Sequence, residues 1–168
     1  TSSLVALAIG DALASVLMVR RGFDKEDFAR NHPGGELGKQ LALKVENIMH
    51  PINDVAQINN KDSISSCAKK MTDNPLGAAL LLENGSLKGI VTEGDLRKSI
   101  ASNLDLSNSI EPFINDNPIS IHSSVSILDA MKIMEDRSSK ISCLPVVDSD
   151  GKCLGLLTIH DLYQTKLV

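Results

Sequence analysis

Apolar residues recur along this chain with two periods in turn. Ile64, Cys67, Ala68 and Met71 fall at i, i+3, i+4 and i+7, the stripe of a helix with one face toward a core. Asp62 or Ser63 is placed to cap it and Asn74-Pro75 to end it. Ala78 to Leu82 is a short apolar strand, Asn84-Gly85 carries a two-residue hairpin signal, and Lys88 to Thr92 is the returning strand. A second helix starts near Glu93. The order then repeats. Ile119 to His122 reads as a short strand, and Ser123 or Ser124 caps a helix bearing Ile127, Met131 and Met134. Cys143 to Val147 is the next strand, Asp150-Gly151 the turn, Cys153 to Thr158 the return, and Asp161 to Lys166 the last helix. Each half therefore reads β-α-β-β-α.

The repetition extends to individual residues. Lys88-Gly89-Ile90-Val91-Thr92-Glu93-Gly94-Asp95-Leu96 returns as Leu154-Gly155-Leu156-Leu157-Thr158-Ile159-His160-Asp161-Leu162. Gly, two aliphatics, Thr, Asp and Leu keep their places, the signature of an internal duplication. One unit of roughly 60 residues buries too little surface to be comfortable alone. Two copies packed face to face would share a core.

Upstream lies an apolar run, Leu4 to Val19. A membrane span needs about 20 apolar residues; this run is shorter and carries Asp11. A signal peptide has its positive charge ahead of the run, whereas Arg20 and Arg21 follow it. The remaining reading is a buried helix capped by Ser2 or Ser3 and stopped by Gly22, with the two arginines at its C-terminal end. Its apolar residues go nearly all round, which suits the inside of a domain, so the chain reads as the C-terminal part of something larger. Asp24 to Arg30 is a short acidic helix start, ended by Asn31-His32-Pro33-Gly34-Gly35. Glu36 to Glu46 links it to the first repeat, which begins near Val45.

With 42% hydrophobic and 23% charged residues, the 168-residue chain is of globular composition. A net charge of -4 argues against a nucleic-acid surface. Phe23, Phe28, Phe113 and Tyr163 are too few for a base-stacking platform. Cys67, Cys143 and Cys153 are odd in number and lack C-x-x-C spacing. That fits reduced thiols of a cytoplasmic protein rather than a disulfide or a zinc site.

The repeated motif has chemistry to offer. Thr92 and Thr158 sit where a strand passes into a helix, and helix N-terminal amides favour an anion such as phosphate. Asp95 and Asp161 would repel phosphate but can accept hydrogen bonds from ribose hydroxyls. Thr followed three residues later by an acidic side chain is equally a capping box, useful for starting a helix and nothing else. Arg97 is either a phosphate contact or an exposed helix residue. His160 replaces Gly94 between the copies, so two clefts built on these motifs would differ; His160 is either a ligand contact or surface filler. His50 and His122 are read as loop residues.

The G-h-h-T-x-x-D-L pattern, twice, each time after helix, strand and hairpin, resembles a tandem pair of CBS domains from about Val45 to Val168. The resemblance implies a module that binds adenosyl compounds and regulates an attached enzyme or channel. Ahead of it, Ser2-Ser3-Leu4, Ile9-Gly10-Asp11-Ala12-Leu13-Ala14, Arg21-Gly22-Phe23, Glu26-Asp27-Phe28-Ala29 and Asn31-His32-Pro33-Gly34-Gly35-Glu36-Leu37-Gly38 follow in order. These resemble the end of the sugar-isomerase (SIS) domain of D-arabinose-5-phosphate isomerases. In that family Val-x-x-Ile-Met leads into two CBS domains, as Val45-Glu46-Asn47-Ile48-Met49 does here.

The resemblance implies a parent enzyme that interconverts D-arabinose 5-phosphate and D-ribulose 5-phosphate through an enediol, with a product that feeds Kdo and lipopolysaccharide synthesis. It places a catalytic His on His32, whose imidazole suits proton shuttling. The family's phosphate loop and its catalytic Lys and Glu would lie upstream of Thr1, so this chain alone is expected to be inactive. The fold expected is α/β (α+β), with an SIS remnant and linker over 1–44 and CBS domains over 45–104 and 105–168. The ligand expected is an adenine nucleotide or the pathway's nucleotide-sugar CMP-Kdo, with no metal and no membrane or nucleic-acid partner. Dimers through the CBS pairs are expected. Two other readings stay open: a ligand-free module that holds subunits together, and a free-standing adenine-nucleotide-binding CBS protein.

Overall fold

The computed structural model describes residues 2–24, 27–28, 31–32, 43–102 and 104–165. Contacts divide the chain into 1–43 and 44–168.

The first part contains helix α1, Ser2–Arg21. Gly22 stops it at φ 62, and the amides of Phe23 and Gly22 close back on the carbonyls of Met18 and Val19. That is the six-to-one closure a left-handed glycine permits. The helix is longer than the apolar run suggested. At 20 residues, with a mean hydropathy of 2.0 over an 18-residue window, it is long and apolar enough to cross a bilayer, by those two measures alone. Asp11 in its middle opposes that use, since an acidic side chain at mid-span costs roughly 2.5–3.5 kcal/mol. None of its residues is buried. The burial expected from its all-round apolarity is therefore not supplied by the described residues. Residues 33–42, with most of the His-Pro-Gly-Gly motif and the linker, lie outside them.

From Lys44 onward the elements alternate as the periodicity predicts. They are β1 (His50–Pro51), β2 (Ala56–Ile58), α2 (Ile64–Asp73), β3 (Ala78–Glu83), β4 (Ser86–Thr92) and α3 (Glu93–Ala101). The second repeat supplies β5 (Ile121–His122), α4 (Ile127–Glu135), β6 (Cys143–Val147), β7 (Cys153–Thr158) and α5 (Ile159–Gln164). Ser63 caps α2 by accepting from the Ser66 amide. The cap of α4 is Ser126, not Ser123 or Ser124: Ser124 is taken up by His122, whose Nδ1 lies 2.8 Å from its hydroxyl. Helix α5 starts at Ile159, two residues before the predicted point, because Thr158 is its cap. At the first hairpin Asn84 and Gly85 have φ 52 and 81, the pair of positive values a tight two-residue turn requires.

Two sheets form. One has the order β2-β3-β4, with β2 parallel and β4 antiparallel to β3. The other has the order β1-β7-β6-β5, with the same pairing of β5, β6 and β7 and with β1 added antiparallel to β7. The two halves are related by a pseudo-twofold exchange. Segment 44–51, which leads into the first repeat, crosses to the second: Lys44 bridges Ser126 and His50 pairs with Leu156. Segment 109–115, which leads into the second repeat, crosses to the first: Ser109 bridges Ser63 and Asn115 pairs with Ile90. The equivalent residues Ser86 and Lys152 bridge each other, as residues beside such an axis must.

Strand alternation then sends side chains to cores on opposite faces of the β2-β3-β4 sheet. Ala79 and Val91 point to α2, joining Ala56, Ile58, Ile64, Cys67, Met71 and Ile110. The opposite face, Ala78, Leu80 and Ile90, meets Cys143, Cys153 and Leu156 of the other sheet. This shared apolar layer is why the repeats come as a pair: each sheet is apolar on both faces and needs the other to cover one of them.

Candidate functional site

Each Thr-x-x-Asp motif turns a strand into a helix in the same way. Thr92 ends β4 and caps α3: its hydroxyl accepts from the Asp95 amide at 3.4 Å, and Asp95 Oδ2 accepts from the Thr92 amide at 3.1 Å and its hydroxyl at 2.6 Å. At Thr158 and Asp161 the corresponding distances are 3.3, 2.9 and 2.7 Å. Both motifs are thus complete capping boxes. The first helical amide of each is also taken: Glu93 donates to the Gly77 carbonyl and Ile159 to the Ser142 carbonyl. Two of the first three amides of each helix are occupied by the protein itself. Anion binding by helix N-terminal amides, expected from the sequence, has little left to work with here. An anion would depend on side chains.

The second carboxylate oxygen is where the two corners part. Asp95 Oδ1 is 3.0 Å from Lys98 Nζ, one turn along its own helix. Burial works against the charged form of Asp95, but hydrogen bonds from Thr92 and Lys98 outweigh it and hold the carboxyl below its ordinary value. Asp161 Oδ1 is instead 3.0 Å from His50 Nε2, on β1 of the other half. His50 is therefore no loop residue. His122, read the same way, lies in β5 with its ring between the hydroxyls of Ser124 and Ser149.

Both corners open on one cavity of about 910 Å³ between the repeats. The shared core brings Thr92 and Thr158 to the same space. Its wall includes Thr92, Arg97, Thr158, His160 and Asp161, while Asp95 stands behind Thr92 and is not part of the lining. Sequence reasoning missed His50, Asn115, Arg137 and Lys140, which also line it. None belongs to the repeated motif, so only the symmetry of the crossing segments could have pointed to His50 and Asn115. Lys140 is paired with Glu135, which also accepts from the Tyr163 hydroxyl at 2.9 Å. Among the described residues Arg97 and Arg137 have no acidic partner, one from each repeat.

Cys143 also reaches this wall, its Sγ 3.1 Å from the Leu76 carbonyl. Burial pushes its thiol up, so it packs as a small apolar group and is no nucleophile at neutral pH. His32 lies in the other part of the chain. Its amide donates to the Phe28 carbonyl at 3.0 Å and its ring centroid is 4.7 Å from that of Phe28.

Two Thr/Asp corners, a pseudo-twofold exchange and one cleft between them agree with the family match: residues 45–102 and 110–166 each match the CBS domain. The chain belongs to the CBS domain family. The chain is 40% identical over 166 residues to arabinose 5-phosphate isomerase KdsD of Pseudomonas aeruginosa, covering 98% of the chain and 50% of that protein. To the Francisella tularensis KdsD it is 37% identical over 168 residues, covering 99% and 51%. The chain spans about half the length of these curated relatives. Among solved structures, CBSX2 of Arabidopsis thaliana in complex with AMP superposes with a TM-score of 0.61 at 20% identity, over 74% of this chain and 96% of that one. The CBS pair of MJ0100, in complex with 5-methylthioadenosine and S-adenosyl-L-methionine, gives 0.64 at 24%, over 73% and 94%. The two solved structures share the fold. The curated isomerases share the sequence from α1 through α5.

Proposed function

We propose that this CBS pair is the regulatory part of a D-arabinose-5-phosphate isomerase and binds a nucleotide in the cleft between its repeats. The observation that carries the nucleotide reading is the meeting of Thr92, Thr158 and Asp161 with Arg97 and Arg137, which have no acidic partner among the described residues, around one cavity of about 910 Å³. That volume is in the range of small-molecule sites. The corners offer hydroxyl and carboxylate oxygens to a ribose, and the two guanidinium groups offer bidentate donors to phosphate. The complexes of CBSX2 with AMP and of MJ0100 with adenosyl compounds support an adenine nucleotide. The isomerase relatives support CMP-Kdo as the alternative, acting as feedback inhibitor of the pathway. The same relatives support His32 as a catalytic residue of the parent enzyme, an aldose–ketose isomerase of the cytoplasm that assembles as a dimer through its CBS pairs.

Isothermal titration with ATP, AMP and CMP-Kdo tests the reading. A hydrogen bond to a charged acceptor is worth roughly 1.5–3 kcal/mol, so Asp161→Ala is expected to weaken binding about ten- to a hundred-fold. No heat from any of the three ligands would overturn it.

The closed capping boxes favour a second reading, a ligand-free module that holds subunits together. It requires that Asp95→Ala and Asp161→Ala leave ligand-induced melting shifts and the activity of the full enzyme unchanged.

A further inference from the structure

The pseudo-twofold relation makes His50 and Asn115 equivalent: each lies on the segment that leads into one repeat and pairs with the last strand of the other, His50 with Leu156 and Asn115 with Ile90. Their side chains do different things. Asn115 Oδ1 turns back to accept from the Asn117 amide at 3.1 Å, and Asp95 is left to Lys98 of its own helix. His50 reaches across to Asp161, at 3.0 Å, with its side chain 35% exposed and that of Asp161 13% exposed. Since Asp161 Oδ2 is committed to the Thr158 cap, Oδ1 is the oxygen open to a ligand hydroxyl, and His50 already holds it.

We infer that His50 is a built-in competitor for the Thr158/Asp161 corner and couples occupancy of that corner to the segment by which the chain enters the CBS pair. This rests on the nucleotide reading of the cleft. His50 also stands in the cavity wall, so a ribose hydroxyl that donates to Asp161 Oδ1 approaches from the side the imidazole occupies and displaces the ring. His50 belongs to β1, which begins four residues after Glu46; the amides of Val45 and Glu46 donate to Val125 and Ser123 of the second repeat. Displacing the ring therefore releases the His50–Asp161 tie between segment 44–51 and the second repeat. Among the described residues the Thr92/Asp95 corner has no such tie: Asp95 is not part of the cavity wall, and its Oδ1 is held by Lys98 of its own helix. The two corners thus differ in consequence, and only the second reports to the preceding chain.

The test is titration of the wild-type chain and His50→Asn with AMP at fixed pH, together with NMR of the imidazole of His50 in the wild type. His50→Asn gives the second corner the residue the first already has. The expected result is roughly five-fold tighter AMP binding by the variant, the worth of one average hydrogen bond no longer in competition, and AMP-dependent shifts of the His50 ring signals. Equal or weaker binding by His50→Asn, or wild-type ring signals that stay fixed as AMP binds, would overturn the competitor role while leaving the nucleotide reading intact. Absence of AMP binding in both proteins, with CMP-Kdo and ATP also silent, would overturn the nucleotide reading and this inference with it. If CMP-Kdo or ATP binds instead, the same two measurements are made with that ligand and are judged by the same outcomes.

Discussion

The backbone carbonyl of His50 lies against the α-carbon of Gly155, in the space a side chain there would fill. Gly155 is the glycine of the second repeated motif, and its backbone φ is unremarkable. It is needed for room: β1 crosses from the other half and packs directly on β7. In the first repeat the glycine is Gly89, and Ile114 and Asn115 of the equivalent crossing segment fill the same space.

The glycines therefore differ in what a methyl group would meet. At Gly155 it meets the backbone of His50 and Pro51, with the His50 carbonyl oxygen at 2.0 Å; at Gly89 it first meets Cγ2 of Ile114 at 2.5 Å and then the Asn115 carbonyl at 3.1 Å. Gly155→Ala is expected to destabilise the protein by about 2–3 kcal/mol and Gly89→Ala by less, in line with overpacking costs. Urea denaturation of both variants measures this. Equal losses would mean that the crossing strand yields as easily as a side chain.

Asp95 carries a pH signature. Its carboxyl ionises below its ordinary value of 3.8, so the folded state binds that proton less readily than the unfolded chain. Stability from this group is fully present above the unfolded value and is lost as pH falls through the folded one. Wild type is expected to exceed Asp95→Asn in Tm at pH 6, with the gap closing below about pH 4. Melting curves across that range decide it, and a gap that persists undiminished at pH 2 would show that the cap does not depend on the charge.

The three cysteines should be silent in the native protein. Cys67, Cys143 and Cys153 are free and buried, and burial pushes the Cys67 thiol up to about 11. At pH 8 a thiol-specific reagent is expected to label none of them within minutes and all three after unfolding in urea. Prompt native labelling of one thiol would place it at a surface.

The side-chain caps of α2 and α4 are single residues, Ser63 and Ser126. Replacing either by Ala is expected to cost about 1 kcal/mol. Thermal melts of the two variants check the equivalence the pseudo-symmetry demands.

The elements were legible because their cause is local. Alternation in Ala78–Glu83 and the three-four spacing of Ile64, Cys67 and Met71 depend only on which side of a strand or helix a residue faces. Asn84-Gly85 needs only its own φ angles, and the repeated motif announced both the duplication and the family. The errors were local too. Ser126 caps α4 in place of the nearer serines because His122 holds Ser124, a choice the pattern of serines leaves open.

By itself the sequence determined two β-α-β-β-α halves and their kinship, since backbone geometry and side-chain period act over a few residues. Only the tertiary structure decided that segments 44–51 and 109–115 exchange between halves, that both corners share one cleft, and that His50 meets Asp161 across 111 positions of chain. Such contacts arise from burying the apolar faces of two sheets against each other. That demand fixes which strands meet but leaves no mark on the polar residues it carries together.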